Sequence, residues 1–191
     1  MATDPAATLL CEFLEAAVHL LLSIRGLYSP EVFERRRYMN CLIHWARHPG
    51  LQQYIHDVVY SLHTWITQGV VDKIALVVHN KENVAVEKFI FKLQVDLSFE
   101  GEFRLNDLEP DLRAFFMKIG ASRHLLLPLP PDCSWELVAY SKQMQTTESS
   151  GDLAWIPTEI GAWAHPPLIT PIKSMKSQFL NVQLYVEQPK V

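Results

Sequence analysis

Apolar residues at helical spacing form two long stripes in the first third of the chain. Between Leu9 and Leu27, large apolar side chains recur at steps of three and four residues, and the same spacing returns between Leu51 and Ile66. Gly26 stands near the end of the first stripe and Gly69 follows the second, where glycine favours a helix C-terminus. The pattern predicts two amphipathic helices.

A third stripe, from Leu108 to Ile119, predicts another helix. Asn106 and Asp107 precede it and are suitable N-caps, because their side-chain oxygens accept hydrogen bonds from the unpaired amides of a first turn. Gly120 is expected to end this helix.

Four further segments are predicted to be β-strands: Val70–Asn80, Val84–Asp96, Cys133–Ser141 and Asn181–Gln188. Lys81-Glu82-Asn83 separates the first two, which predicts a hairpin whose second strand has one core face and one mostly solvated face. Helices and strands follow no repeating strand–helix–strand order. We therefore expect the α+β class, with helices packed on one side of an antiparallel sheet.

Composition narrows the class of protein. The 191 residues are 49% apolar and 20% charged, which is typical of a globular protein, and a single domain is expected. The formal net charge of −4 argues against a large nonspecific contact with nucleic acid, so no direct nucleic-acid partner is expected. The dense basic run Arg35-Arg36-Arg37 follows Glu31 and Glu34 and is interpreted as a solvated surface turn.

Cysteine usage indicates a reducing compartment. Cys11, Cys41 and Cys133 are odd in number and widely spaced, which is typical of free thiols in the cytosol or nucleus, and Cys11 and Cys133 are expected in the core. The most apolar early run, Ala16–Ile24, is too short to span a bilayer and follows no basic segment. Neither a membrane contact nor a signal peptide is expected.

Candidate chemistry is sparse. The sequence has no glycine-rich phosphate loop, no GxSxG elbow and no HExxH motif, so neither catalysis nor a cofactor is predicted. The strongest metal candidates are Cys41, His44 and His48, which lack a second cluster to complete a tetrahedral site. A metalloprotein or enzyme using these three residues is the alternative function from another class.

Large apolar residues stand in the irregular stretch after Ser141, where prolines and glycines obscure any periodicity. They are Trp155, Ile156, Ile160, Trp163, Leu168 and Ile169. Such side chains need cover, either from the protein's own core or from a partner. The sequence pattern leaves both possibilities open.

Several blocks of sequence, taken in order, match one known family. They are "LCEFLEAAVHLLL" (Leu10–Leu22), "HPGLQQYIHDV" (His48–Val58), "VDKIALVV", "VEKFIFKL", "DLRAFFMKI" (Asp111–Ile119), "AWIP" and "SMKSQFLNVQLYVE". The chain resembles the HORMA-domain accessory subunits of translesion DNA polymerase zeta, relatives of the mitotic-checkpoint HORMA protein. The resemblance implies one HORMA domain over residues 1–191, with three helices on an antiparallel sheet. Residues 1–141 would be the core and residues 142–191 a safety belt that wraps a partner peptide.

The resemblance also implies a first partner site. Tyr28, Tyr54, Trp155 and Ile156 would contact a peptide of the catalytic subunit of DNA polymerase zeta, which adds a strand beneath the belt. Tyr54 lies within the apolar stripe of the second helix, and that pattern by itself is equally consistent with a structural residue of the core. Pro157 stands where an aliphatic residue is expected in animal relatives.

A second surface and a pairing surface follow from the same resemblance. Leu168, Gln183 and Tyr185 would dock the C-terminal domain of a Y-family scaffold polymerase, and Arg113 would take part in HORMA–HORMA pairing. Strand alternation independently places Gln183 and Tyr185 opposite the apolar face of the last strand.

The function implied is that of a non-catalytic adaptor, in the nucleus and also the cytoplasm, that bridges the two polymerases in translesion synthesis. A HORMA adaptor in the mitotic checkpoint or in double-strand-break repair is the alternative within the class.

Overall fold

A five-stranded antiparallel sheet organises the molecule, with the helices on one of its faces. The structure is a computed structural model that describes residues 5–96, 105–142, 155–158 and 163–190. The helices are α1 (Pro5–Ile24), α2 (Pro49–Ser61), α3 (His63–Thr67) and α4 (Leu105–Ser122). The strands are β1 (Phe33–Tyr38), β2 (Cys41–Ala46), β3 (Val71–His79), β4 (Ala85–Val95), β5 (Ser134–Ser141), β6 (Leu168–Lys176) and β7 (Leu180–Gln188). The sheet order is β5-β3-β4-β7-β6, and β1 and β2 form a separate hairpin. The predicted α+β class is confirmed.

Helix α1 is the centre of the core. The ring of Phe13 is fully buried and packs edge-on against Phe91 of β4 and Phe115 of α4, at centroid distances of 6.2 and 5.4 Å. The helix ends where Gly26 adopts φ +65° and the Leu27 amide donates to the carbonyl of Leu22, as the first apolar stripe predicts. Tertiary burial on several sides stabilises α1 far more than its intrinsic helix propensity does.

The full length of α1 changes one sequence expectation. The helix is long and apolar enough to cross a membrane, whereas the run Ala16–Ile24 alone is not. In this fold 72% of its apolar window is buried inside the protein, which is the position of a core helix.

The predicted second helix is wrong in one respect, since it is divided into α2 and α3 at Leu62. The Leu62 amide donates to the carbonyl of Val59, three residues back, so the regular α-helical hydrogen bonding stops there. Leu62 itself is fully buried. Hydrophobic spacing alone does not reveal such a break.

The predicted ends of the third helix are also wrong. Helix α4 begins at Leu105 and therefore contains Asn106 and Asp107, which were expected to cap it. It continues through Gly120 to Ser122, whose hydroxyl donates to the carbonyl of Ile119. Gly120 is exposed, and a glycine inside an exposed helix costs only about 1 kcal/mol relative to alanine.

The basic run forms strand β1 rather than a turn. Arg35, Arg36 and Arg37 are exposed as expected, but they pair with β2, and the turn lies at Met39 and Asn40, where φ is positive. Positive φ at both central residues matches the twist of a two-residue hairpin.

Strand β6 was not predicted. It is an edge strand, and its pairing with β7 is irregular between Pro171 and Lys173. Proline is tolerated at edges and bulges because it has no amide proton to donate. The proline and the bulge hide the alternation that normally identifies a strand.

Two burial expectations need correction. The outer face of β4, expected to be mostly solvated, buries Lys88 and Ile90. Ile90 belongs to a small apolar cluster on that face, made of Ala75, Val77, Ile90 and Val138. Cys11 is buried as expected, but Cys133 is only half-buried because it precedes β5, with its thiol 3.2 Å from the carbonyl of Pro130.

Candidate functional site

Strand β5 forms one edge of the sheet. It pairs with β3 from Val71↔Ser141 to His79↔Ser134, with an irregularity between Val71 and Lys73, and no described strand pairs with its other side. An edge strand with available amides and carbonyls is a template for an added strand. The β5 edge can therefore take a peptide by main-chain hydrogen bonding.

Three aromatic side chains flank the start of this edge; we name Tyr28, Tyr54 and Trp135 the aromatic cluster. The indole nitrogen of Trp135 donates to the Tyr28 hydroxyl oxygen at 3.0 Å. Tyr54 of α2 meets the Trp135 ring edge-on at a centroid distance of 5.7 Å and is 43% exposed. Tyr54 is thus a surface residue rather than a plain core one.

Trp155 docks where α2 gives way to α3. Its indole nitrogen donates to the Ser61 hydroxyl at 2.8 Å, and its ring lies 5.6 Å from that of Trp65. The break at Leu62 places the end of α2 and the start of α3 around this contact. Ile156, the next residue, is 79% exposed and open to a partner.

The two aromatic contacts lie along one face of α2. Tyr54 and Ser61 are seven residues apart, which is two helical turns and about 10 Å along the axis. This length corresponds to about three residues of an extended peptide. Sequence reasoning missed Ser61, Trp65 and Trp135 as site residues. The signal for the first two is their helical spacing from Tyr54, with steps of seven and four residues.

Burial keeps the hydroxyl of Tyr54 protonated. It raises the pKa of Tyr54, and the nearby Glu136 carboxylate and Tyr28 raise it further. At neutral pH the Tyr54 hydroxyl can therefore donate as well as accept a hydrogen bond. The site offers aromatic surface and neutral polar groups.

The residues predicted for the second partner do not all share one face. Gln183 is exposed, and Tyr185 packs beside the small apolar cluster on the outer face. Leu168 pairs directly with Gln188, whose side chain is buried on the helix side, whereas Ile169 pairs with Glu187 on the outer face. Cross-strand partners share a face, so Ile169 lies with Gln183 and Tyr185, and Leu168 does not. Leu168 and Ile169 are neighbours in one strand, so their side chains point to opposite faces of the sheet.

Cys41, His44 and His48, the candidate ligands of the alternative metalloprotein, do not converge. Cys41 and His44 are three residues apart on β2 and so point to opposite faces. The Nδ1 atom of His44 lies 2.8 Å from the Ser23 hydroxyl, and Nδ1 of His48 accepts from the Leu51 amide as the N-cap of α2. Within the described ranges, no group of three or more His, Cys, Asp or Glu side chains could hold a metal ion.

Arg113 lies half-buried on α4, beside the β1–β2 hairpin. Its carbonyl is 4.0 Å from the Cys41 sulfur, and Asn40 donates to Glu109 one turn earlier on the same helix. Met117, one turn later, is 67% exposed. This part of α4 is separate from both partner surfaces described above.

Comparison with known proteins identifies the family. The family model of the HORMA domain matches residues 6–109. The chain belongs to the HORMA-domain family. This HORMA protein is 40% identical over 183 residues to the DNA polymerase zeta processivity subunit of Arabidopsis thaliana, which covers 95% of this chain and 85% of the relative. It is 34% identical over 190 residues to the mitotic spindle assembly checkpoint protein MAD2B of Homo sapiens, with 95% and 90% covered.

Solved structures agree on the fold. A chain of the mitotic checkpoint complex superposes with a TM-score of 0.83 at 19% identity, covering 97% of this chain and 99% of that one. The C. elegans protein HTP-2, bound to a HIM-3 closure motif, gives 0.80 at 11% identity, with 99% and 92% covered. The HORMA resemblance predicted from the sequence is confirmed, and the prediction of a non-enzyme agrees with these relatives, one of which is named a processivity subunit.

Proposed function

We propose that this HORMA protein is an adaptor that captures a peptide of the catalytic subunit of DNA polymerase zeta at the β5 edge. The observation that carries the proposal is the β5 edge, with which no described strand pairs, and the aromatic cluster at its start. Just past the end of β5, the Lys142 amide donates to the carbonyl of Val70, whose own amide donates to the carbonyl of Trp65, the residue that Trp155 packs against. The identity with a processivity subunit of this polymerase supports the choice of partner. Residues 142–191 act as the belt in this proposal, and residues 1–141 as the core.

Main-chain and side-chain contacts make different contributions to peptide capture. Main-chain hydrogen bonds to β5 supply affinity that does not depend on the peptide's sequence, and the aromatic side chains select what lies between them. Tyr54 and Ile156 are the exposed apolar contacts, and Tyr28 holds Trp135 in place through its hydroxyl. Aromatic side chains at the centre of an interface commonly dominate its binding energy.

The outer face is proposed as a second docking surface, for the C-terminal domain of a Y-family scaffold polymerase. Gln183 and Tyr185 present polar atoms beside the small apolar cluster, and Ile169, 56% exposed, takes the position that Leu168 was expected to hold. Gln183, Tyr185 and Ile169 lie on β7 and β6, at the opposite side of the sheet from the β5 edge, so one molecule can bind both partners at once. Such a bridge places the protein in the nucleus during translesion synthesis.

The MAD2B relative supports a second candidate within the family, an adaptor that captures a mitotic-checkpoint peptide at the same edge. Pairing of two HORMA domains through Arg113 belongs to the proposal as well. Both use surfaces described above and need no further chemistry.

The deciding experiment is peptide capture by variants at Trp155. Fluorescein-labelled peptides that tile the catalytic subunit are titrated against wild type, Trp155→Ala and Trp155→Phe. Trp155→Ala is expected to weaken capture about five- to thirtyfold, since it removes a charge-neutral hydrogen bond and an aromatic contact worth about 1–2 kcal/mol together. Ser61→Ala should weaken capture less than Trp155→Ala does, because it removes the hydrogen bond and keeps the indole ring that packs against Trp65.

Met117→Ala is the matched control, because it shortens an exposed side chain on α4, away from both surfaces. Equal capture by wild type and Trp155→Ala, with both folded by circular dichroism, would refute the assignment of this site. Parallel titration of mitotic-checkpoint peptides ranks the two candidates by affinity.

A further inference from the structure

Trp163 is docked on the face of the sheet that the helices leave uncovered. Its indole nitrogen donates to Oε2 of Glu187 at 2.8 Å, and the Lys88 ammonium nitrogen lies 4.7 Å from its ring centroid. Lys88 and Glu187 are direct cross-strand partners of β4 and β7. One indole therefore contacts both members of a single cross-strand pair.

The environment of Lys88 shows that this contact is enclosed. Lysine is almost never fully buried unless it is paired, yet Lys88 is only 4% exposed. Burial lowers the pKa of the Lys88 ammonium group, and the Glu187 carboxylate acts in the opposite direction. A cation over an aromatic ring is attracted more strongly when both are shielded from water, and a hydrogen bond to a carboxylate is stronger than a neutral one.

The two tryptophans of the belt are held by different layers of the fold. Trp155 contacts Ser61 and Trp65 in the helix layer, whereas Trp163, eight residues later, contacts the opposite face of the sheet. Five residues after Trp163 the chain enters β6. Trp163 thus attaches the stretch leading into β6 at a point that Trp155 does not reach.

We propose that Trp163 is a latch that sets how long the belt retains a captured peptide. The proposal rests on peptide capture at the β5 edge. For the belt to open, the Trp163 indole must leave Lys88 and Glu187, so this contact adds to the barrier for release. Its loss speeds peptide dissociation, while association, which depends on the β5 edge and the aromatic cluster, changes little.

The test measures dissociation of a captured fluorescein-labelled peptide from the catalytic subunit, chased with unlabelled peptide and followed by anisotropy. Trp163→Ala is expected to raise the dissociation rate constant roughly tenfold or more. Trp163→Phe keeps an aromatic face for Lys88 but has no N–H donor, so its rate constant should lie between those of Trp163→Ala and wild type.

The matched control is Arg36→Ala, which removes another cation over a tryptophan ring, 4.8 Å from the centroid of Trp45 and outside the belt. Its dissociation rate constant should equal that of wild type. If Trp163→Ala captures the peptide and releases it within twofold of the wild-type rate, the latch is overturned.

Hydrogen exchange separates failure of the latch from failure of peptide capture. Without any peptide, Trp163→Ala should exchange the amides of β6 faster than wild type and Arg36→Ala do. If wild type captures none of the tiled peptides, the proposed function fails, and exchange in β6 alone decides whether Trp163 restrains the belt. Unchanged exchange then overturns the latch as well.

Discussion

The buried ion pair between Arg25 and Glu87 makes a sharp prediction about stability. Arg25 Nε donates to Glu87 Oε1 at 2.7 Å, with the two side chains 6% and 0% exposed. The second carboxylate oxygen accepts from Gln188 at 2.8 Å, and Arg25 also donates to the carbonyl of Leu127 at 2.7 Å. The network joins the end of α1, the start of β4, the end of β7 and the segment before β5.

Arg25→Ala should destabilise the protein by about 3–5 kcal/mol near pH 8, because it leaves the Glu87 carboxylate buried without a counter-charge. Urea denaturation followed by far-UV circular dichroism measures this loss. With an m-value of about 2–3 kcal/mol per molar urea, the midpoint should fall by about 1–2 M.

The cost should depend on pH in a defined direction. Burial raises the pKa of Glu87 even though Arg25 and Gln188 lower it, and removing Arg25 raises it further. The folded variant then holds a proton that the unfolded chain releases near its ordinary pKa, so its stability falls as pH rises through that interval. The loss should therefore be smaller at pH 5 than at pH 8.

Two companion variants show whether this reasoning holds. Glu87→Gln added to Arg25→Ala removes the buried charge and should recover part of the loss. Glu34→Ala breaks the exposed Glu34–Arg36 pair, whose side chains are each 45% exposed, and should cost at most about 1 kcal/mol. A loss below about 1 kcal/mol for Arg25→Ala at pH 8, or an equal loss at pH 5, would contradict the buried-pair account.

Two further predictions concern the core and the outer face. Phe13→Ala should cost about 3–5 kcal/mol in urea denaturation, because its fully buried ring packs against three other aromatic rings, and a loss under about 1 kcal/mol would contradict its central position. Tyr185→Ala should weaken binding of the scaffold-polymerase domain by about 2 kcal/mol, measured by calorimetric titration, and should leave peptide capture unchanged. Ile169→Ala should weaken binding of the same domain more than Leu168→Ala does, because Ile169 lies on the outer face and Leu168 does not. The reverse order would show that this assignment of faces is wrong.

Much of the core could be predicted because periodicity depends on local sequence. The stripes of α1 and α4 and the alternation of β7 place Phe13, Phe115 and Leu184 in the interior, where the structure has them. Helix limits were less predictable, since a local hydrogen bond at Leu62 and the solvent exposure of Gly120 leave no trace in the apolar pattern.

The candidate site was predictable only in part. Resemblance pointed to Tyr54 and Trp155, but their contacts depend on Trp135, Ser61 and Trp65, which are distant in sequence. The contacts of Trp163 could not be predicted, because Lys88 lies 75 positions earlier and meets it only through the sheet order. Ile160 lies outside the described residues, and the core–belt boundary stays a prediction.

The position of β7 has a consequence for synthesis on the ribosome. This strand pairs with β4, where Leu184 lies opposite Phe91 and Val182 opposite Leu93. Translation proceeds at about 5–20 residues per second, so several seconds pass between the synthesis of β4 and that of β7. Until then the apolar side chains of β4 have no β7 beside them. During that interval the nascent chain presents an incomplete core and an unpaired strand to the cytosol. Chaperone binding to the nascent chain should therefore continue until β7 is released from the exit tunnel.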